Sequence, residues 1–426
     1  MLHKNVPAAG LVAFTVLAFS SVQSIAAGSQ QYSLTDLGTL GGTYGAAYGI
    51  SVSGEVVGAS YTAKDAQLAP FSYRSGGMIG LGSLGGTIGY GYGVNAAGEV
   101  TGYSDIGTDQ RAFLYSSGTM IDLGTLGGTD SAGYGINAAG QVTGFAATAK
   151  NAAQHAFSYS YGRMTDLGTL GGADSYGYSI NDGGQIVGTA ADKYGTYHAF
   201  AYHNGTMTEI GSLGGGFGEA NGINNGGQIT GVSMTAGHAL HAFLYSAGAM
   251  KDLGTLGGAS SAGLGINGGG EVVGYALLAN GSQRAFVYTA GAMKDLNSLI
   301  APGGTLARYV TLTEATAIND SGSIVANGTD SRTGDSRAYV LGLVSIAAQL
   351  EALRTEVTGV GPGRSLAGKL AVAQQDYAAA NIPATCAVLG GFVNETHAQS
   401  GKKISLPLDA QLVADARAVA AELGCK

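Results

Sequence analysis

Histidine recurs at three equivalent places in this chain, His155, His198 and His241, each followed by Ala-Phe and each 43 residues from the next. Three imidazoles are a familiar zinc ligand set, and a bound zinc would act as a Lewis acid. The repetition itself argues against that chemistry. Equivalent positions in the outer strands of neighbouring repeats lie more than a sheet spacing apart, ~10 Å, whereas zinc–nitrogen bonds span about 2 Å. No metal and no cofactor is expected.

A second chemistry would use carboxylates. Asp105, Asp109, Asp130, Asp174 and Glu219 are expected in loops, where two of them could serve as the acid and base of a glycosidase. Spacing alone brings no two of them to that separation. The chain has no Gly-x-Ser-x-Gly elbow, no His-Glu-x-x-His and no phosphate loop, so no catalytic residue is assigned. The Gly-Gly turns could offer backbone N–H groups to an anion. No Lys-Ser/Thr follows them, and tight-turn geometry accounts for the glycines.

The elements that must position these residues come from a repeat. Asp-Leu-Gly-Thr-Leu-Gly-Gly begins at Asp36, Asp122, Asp166 and Asp252, with variants at Gly80, Glu209 and Asp295, in steps of 42 to 44 residues. A period of that length points to propellers, solenoids or arrays. Residues 86–128 contain four short β-prone runs, Tyr90–Asn95, Glu99–Tyr103, Arg111–Tyr115 and Thr119–Leu123, separated by turn residues. Each unit therefore reads as a four-stranded antiparallel meander, and seven such units match a seven-bladed β-propeller. A linear solenoid is the competing fold and would need capping ends.

Phenylalanine and methionine recur seven residues apart in six units, from Phe71/Met78 to Phe286/Met293. That spacing predicts that they face each other across a hairpin and pack between blades. Two residues outward lies a base with an acid: Arg111/Asp122, His155/Asp166, His198/Glu209, His241/Asp252 and Arg284/Asp295, while Ala69 and Gly80 lack both partners together. These read as structural cross-strand pairs. The last unit has Arg337-Ala338-Tyr339 but no fourth strand after it. Residues 31–37 are predicted to supply that strand by pairing with 336–342, setting Asp36 against Arg337 and Leu34 against Tyr339, so that no sheet edge stays open.

Length varies in the connections between second and third strands and in an insertion around Asn297–Thr311. Connections of that kind share one face with the blade-to-blade crossings, and binding commonly resides in loops on a rigid scaffold. The candidate ligand-binding residues are therefore Asp105, Asp109, Asp130, Asp174, Asn297 and Arg308. Tyr48, Tyr92, Tyr134 and Tyr178 occupy the inner-strand slot that Asn221, Leu264 and Thr316 fill elsewhere. They suit packing better than sugar stacking, since the chain has no Trp.

Composition narrows the class further. Glycine is 75 of 426 residues without a Gly-X-Y period, and the net charge is −8 with no basic cluster, which excludes a nucleic-acid footprint. His3 and Lys4, the apolar Leu11–Phe19 and the small residues Ser24-Ile25-Ala26 predict a signal peptide over residues 1–26. Export with two cysteines, Cys386 and Cys425, predicts a disulfide between them. From residue 344 onward helical spacing takes over, with helices expected at Ser345–Val357, from Ser365 as cap through about Ala380, at Ala384–Ala398 and at Leu408–Leu423. Leu366, Leu370 and Ala373 form one apolar face. No membrane span is expected in the mature chain.

His-Ala-Phe-x-Tyr, then Met-x-Asp-Leu-Gly-Thr-Leu-Gly-Gly, then Gly-Ile-Asn-x-x-Gly-Gln-Val-x-Gly resembles the HAF repeat of bacterial extracellular proteins over about residues 31–343. Ala69-Pro70-Phe71, the Arg-Ala-Phe copies and Arg337-Ala338-Tyr339 depart from it. The resemblance implies an exported repeat protein and transfers no catalytic residue. Ser365-Leu366, Lys369-Leu370, Ala373-Gln374, Cys386, Phe392-Val393 and Ala398-Gln399-Ser400-Gly401-Lys402 resemble the FIMAH-type module of secreted bacterial proteins, which implies an accessory role. The expectation is a secreted, monomeric, non-enzymatic propeller that presents a loop face to a surface glycan or protein. A secreted polysaccharide hydrolase or lyase and a structural matrix component are the alternatives.

Overall fold

The computed structural model describes residues 31–301, 306–361 and 364–425. The expected signal peptide and residues 302–305 of the insertion lie outside the described residues. Two compact units divide between Ala352 and Leu353, nine residues after the last strand ends at Leu343.

The larger unit holds seven four-stranded antiparallel sheets. Six are consecutive meanders; the third, for example, runs Gly127–Ile136, Val142–Thr148, Gln154–Ser160 and Arg163–Asp166. The seventh sets Tyr32–Asp36 beside Ser336–Leu343, followed by Ile324–Asp330 and Val310–Ile318. First strands meet around a channel, where the Tyr92 ring lies 5.2 Å from both Tyr48 and Tyr134. This is the expected seven-bladed β-propeller, closed by the N-terminal strand. Apolar clusters form between blades: Val57 and Leu81 of the first pack with Val100 and Phe113 of the second.

The register differs from expectation by one residue on each strand. Phe113 faces Asp122, and Tyr115 faces Met120. The cause is the turn. Ser117 and Gly118 both have positive φ, 51° and 82°, which fits a two-residue type I′ hairpin with glycine in its second place. Facing Phe113 with Met120 would have moved the turn to Ser116-Ser117. The base–acid pairs therefore form along a diagonal: His155 Nδ1 lies 2.9 Å from Asp166, His198 3.0 Å from Glu209, His241 2.9 Å from Asp252 and Arg111 3.6 Å from Asp122. Arg284 and Asp295 do not pair. Arg284 donates to the Gln283 carbonyl, and Asp295 accepts from Asn297. The closing strand shifts likewise, with Asp36 facing Tyr339 and Leu34 facing Leu341. Arg337 pairs with Asp335 at 2.9 Å instead of Asp36, and Asp36 accepts from Gly38 N.

The Gly-Ile-Asn motif binds the blades together. Each buried asparagine donates from Nδ2 to the backbone carbonyl of its counterpart in the next blade. The bonds run Asn95 to Asn137, Asn137 to Asn181, Asn181 to Asn224, Asn224 to Asn267 and Asn267 to Asn319, at 2.9–3.4 Å. Asn319 continues to Ser51 at 3.0 Å. The first blade has serine in that place, so its own outgoing bond to Asn95 is missing. Close approach inside each blade explains part of the glycine content: a Cβ on Gly144 would strike the Ala132 carbonyl.

Helix α1 (Ile346–Glu356) runs across the division, and the smaller unit contains α2 (Ser365–Ala378), α3 (Ile382–Gln399) and α4 (Leu406–Glu422). Leu366, Leu370 and Ala373 are fully buried, as their spacing predicts. Cys386 and Cys425 form the disulfide, with Cα atoms 5.5 Å apart. Ser365 is the first helical residue rather than the cap, and its hydroxyl donates to Glu395. No helix among the described residues is long and apolar enough to cross a membrane.

Candidate functional site

A β-bulge interrupts every first strand at the same place. Pairing slips between Gly133 and Gly135, and at the matching steps of the other six blades. The unpaired residue is Tyr48, Tyr92, Tyr134, Tyr178, Asn221, Leu264 or Thr316, and all seven line the channel around a cavity of about 220 Å³. A bulge re-aims a side chain that regular pairing would leave on the sheet face. Four tyrosines therefore form an arc on the first four blades. Asn221 Nδ2 donates to the Gly263 carbonyl and Thr316 to that of Ala47, which ties the remaining side together.

Two residues before each bulge lies a second ring, nearer the blade-to-blade crossings. Here the repeat breaks down. The positions read Ala46, Tyr90, Ala132, Tyr176, Glu219, Ala262 and Glu314, and their second-strand partners Ala59, Tyr103, Phe145, Thr189, Val232, Tyr275 and Asn327. Large and small alternate across each pair in the third and sixth blades. Tyr90 stacks on Tyr103 at 5.1 Å, and Phe145 lies 5.6 Å from Tyr176. One side of the mouth is thus aromatic, and the other holds Glu219, Tyr275 and Glu314. A cavity of about 160 Å³ adjoins Glu314, with Tyr44, Tyr48 and Asn327 in its wall.

Electrostatics follow from this arrangement. Burial pushes the Glu219 carboxyl up. The Tyr275 hydroxyl is raised by burial first, then by the charges of Glu314 and Glu219. Burial alone pushes Tyr134 up to about 12. Tyr176 rises to about 12 through burial, with Tyr197 and Asp174 adding to it. Asn327 Nδ2 donates to Glu314 at 3.1 Å. The second ring was missed in the sequence because its residues do not repeat, so no alignment of units draws attention to them.

The six candidates from the sequence fare differently, and the four aspartates, like Glu219, lie on strands rather than in the expected loops. Asp130 accepts from Gln110 N and Asp174 from Gln154 N, each across a blade boundary. Both are inter-blade ties rather than free acids. Asp109 lies 3.4 Å from Arg111. Asp105 is half-buried on the face of Tyr103 and is pushed up by burial. Asn297 is committed to scaffold: Leu312 N donates to its Oδ1, and its Nδ2 donates to Asp295 and to the Leu312 carbonyl. Arg308 is exposed beside the undescribed part of the insertion. Asp105 and Arg308 therefore remain available to a ligand.

The opposite end of the channel opens into a cavity of about 340 Å³, collared by the isoleucine or valine of each repeat from Ile50 to Ile318. These side chains also pack into the inter-blade clusters, so their repetition has a structural cause.

No protein-family model matches the chain, and no curated protein matches it. Among solved structures it is similar to TolB from Acinetobacter baumannii, at 14% identity over 68% of this chain and 64% of that one, with a TM-score of 0.40. It is also similar to Porphyromonas gingivalis dipeptidyl peptidase 4, at 12% identity over 64% and 48% of the two chains with a TM-score of 0.37. A Trypanosoma rangeli sialidase is similar at 10% identity over 78% and 59%, with a TM-score of 0.35. The chain spans less than two thirds of the length of each of these three proteins. Likenesses this remote carry no argument about site or activity, and the propeller stands on its own strand pairing.

Proposed function

We propose that this chain is an exported binding propeller whose ligand seats at the channel mouth on the blade-crossing face, with the helical unit as an accessory module. The observation that carries the reading is the second ring. Residues that repeat in this molecule have scaffold duties: the asparagine belt, the turn aspartates and the inter-blade phenylalanines. Where the ring reads Ala46, Tyr90, Ala132, Tyr176, Glu219, Ala262 and Glu314, no scaffold duty is common to the seven; aromatic rings gather on one side, and Glu314 borders a cavity on the other. Such convergence of aromatic surface with a few polar groups is the usual character of a ligand site.

The exported, HAF-repeat and FIMAH-like assignments rest on the sequence motifs, and the Cys386–Cys425 disulfide accords with an oxidising compartment. A surface glycan or a protein segment is the partner class. The hydrolase alternative loses support from Asp130 and Asp174, whose carboxylates are spent on backbone N–H groups. A thermal-shift panel of bacterial and plant polysaccharides, small amines, divalent ions and chelator tests the reading, because a ligand of the native state raises the midpoint by mass action. A shift that Tyr176→Ala abolishes supports a ligand at the mouth. Shifts insensitive to every mouth substitution would overturn it.

A further inference from the structure

We propose that the cleft between the seventh and first blades binds a small α-amino acid, its carboxylate beside Ser336 and Arg337 and its ammonium group beside Glu314. This deepens the binding reading above and rests on it, since Glu314 belongs to the ring at the mouth. One blade junction differs here from its counterparts in the same chain. Where the second blade meets the third, Asp130 accepts from Gln110 N at 3.1 Å, and where the third meets the fourth, Asp174 accepts from Gln154 N at 2.8 Å. The serine after each aspartate accepts from Ala112 N or Ala156 N at 2.8–2.9 Å. The repeat thus sets a carboxylate and a hydroxyl against two N–H groups of the neighbouring third strand.

At the junction that closes the ring, these places hold Tyr44 and Gly45, and the corresponding N–H groups are those of Ser336 and Ala338. Neither has an acceptor among the described residues. Tyr44 packs instead on Tyr61 of its own blade, with ring centroids 5.8 Å apart. Neighbouring positions are small as well: Ala46 stands where the fourth blade has Tyr176, and Ser336 where the third has Gln154. The cavity of about 160 Å³ lies here, with Tyr44, Ala46, Glu314, Ser336 and Arg337 in its wall. The junction of the fourth and fifth blades also lacks the aspartate and serine, having Phe217 and Gly218. There the bulkier Glu219 and Tyr197 stand in place of Ala46 and Ser336.

The wall carries both signs of charge. Arg337 donates from Nη2 to Asp335 at 2.9 Å, which leaves Nε and Nη1 without a hydrogen-bond partner among the described residues. Glu314 accepts from Asn327 Nδ2 at 3.1 Å on one oxygen, and its other oxygen accepts from no described residue. Asn327 is itself spent across the junction, donating to the Ala47 carbonyl and accepting from Ala47 N. A carboxylate entering the cleft would take the acceptor place that Asp130 and Asp174 fill elsewhere, and gain charged hydrogen bonds from Arg337. Alone, it would meet the Glu314 charge inside one small cavity. An amine alone would leave the donors unmatched. A molecule with both ends satisfies both walls. At ~30 Å³ per water, the cavity has room for roughly five waters, the scale of a small amino acid.

The test is calorimetric titration of the full chain with L-alanine, alongside propionate, which has the carboxylate alone, and ethylamine, which has the ammonium group alone. Alanine should bind saturably, and about tenfold or more tighter than either fragment. Glu314→Gln should weaken alanine binding by about tenfold, as expected for a lost charged hydrogen bond. Tyr44→Asp should put the repeat's own carboxylate into the vacant place and abolish binding, with the thermal midpoint as the check on folding. If a variant folds poorly, the comparison of alanine with its two fragments decides. Absence of saturable alanine binding, equal binding of propionate or ethylamine, or undiminished binding in either variant overturns the proposal. If alanine fails while a polysaccharide shifts the midpoint and Tyr176→Ala removes that shift, this inference falls and the binding reading stands.

Discussion

Glu219 is a half-buried carboxyl that accepts no hydrogen bond from any described residue. Its carboxyl is raised by burial, so the folded state holds the proton more tightly than the unfolded chain does. The sign follows from linkage: this contribution is fully present below the ordinary glutamate range and is lost as pH rises through the higher folded value. Above the ordinary glutamate range, burial of this carboxyl therefore weighs against folding. Glu219→Gln should raise the thermal midpoint by a few degrees at pH 7, and the gain should vanish near pH 4. An equal effect at both pH values would show that the carboxylate is already satisfied. At this scale the sequence was legible wherever residues repeat. The His–acid pairs were readable because base and acid vary together at fixed spacing. The aspartates expected in loops lie on strands, and Asp130 and Asp174 serve the backbone of the preceding blade, a contact that no spacing within one unit reveals.

Elements set the next scale, and here turns and bulges decide what the strands present. The type I′ turn at Ser117-Gly118 displaced the expected hairpin register by one residue per strand, because two positive φ values place the glycine second. Strand number and order were readable from apolar runs; the bulges were not, since first strands such as Gly127–Ile136 are rich in glycine and alanine and carry little alternation for an extra residue to interrupt. Asparagine in Gly-Ile-Asn links neighbouring blades, and Asn181 is buried while bonded to the Asn224 carbonyl. Asn181→Ala should cost ~1–3 kcal/mol in urea unfolding, the usual penalty for stranding a buried partner. Ser51→Asn should supply the one missing bond of the belt and raise the midpoint. A loss of stability from that change would mean that the first blade cannot accept the asparagine geometry.

At the scale of the whole molecule, ring closure and the helical unit are separate matters. Closure was legible because the first unit lacks three strands and the last lacks one, but its register was carried over from the hairpins and shifted with them. Thr35 and Val340 face each other in the closing pair, at the ~5.5 Å Cα separation typical of a hydrogen-bonded antiparallel pair. Thr35→Cys with Val340→Cys should therefore crosslink in the oxidised chain, seen as a second disulfide by mass. In the helical unit, Cys386→Ser should lower stability by ~2–5 kcal/mol, as expected for a small domain that loses its only bridge. A midpoint that the substitution leaves unmoved would show that helix packing alone holds the unit.

The proposed ligand seat lies where the sevenfold repeat breaks down. Amide hydrogen exchange, measured with and without the strongest binder from the thermal-shift panel, addresses that claim directly. The prediction is slowed exchange in the inner strands around Glu219, Tyr275 and Glu314, with the outer His–acid strands and the helical unit unchanged. Protection confined to the outer strands, the isoleucine-collared end of the channel or the helical unit would contradict it.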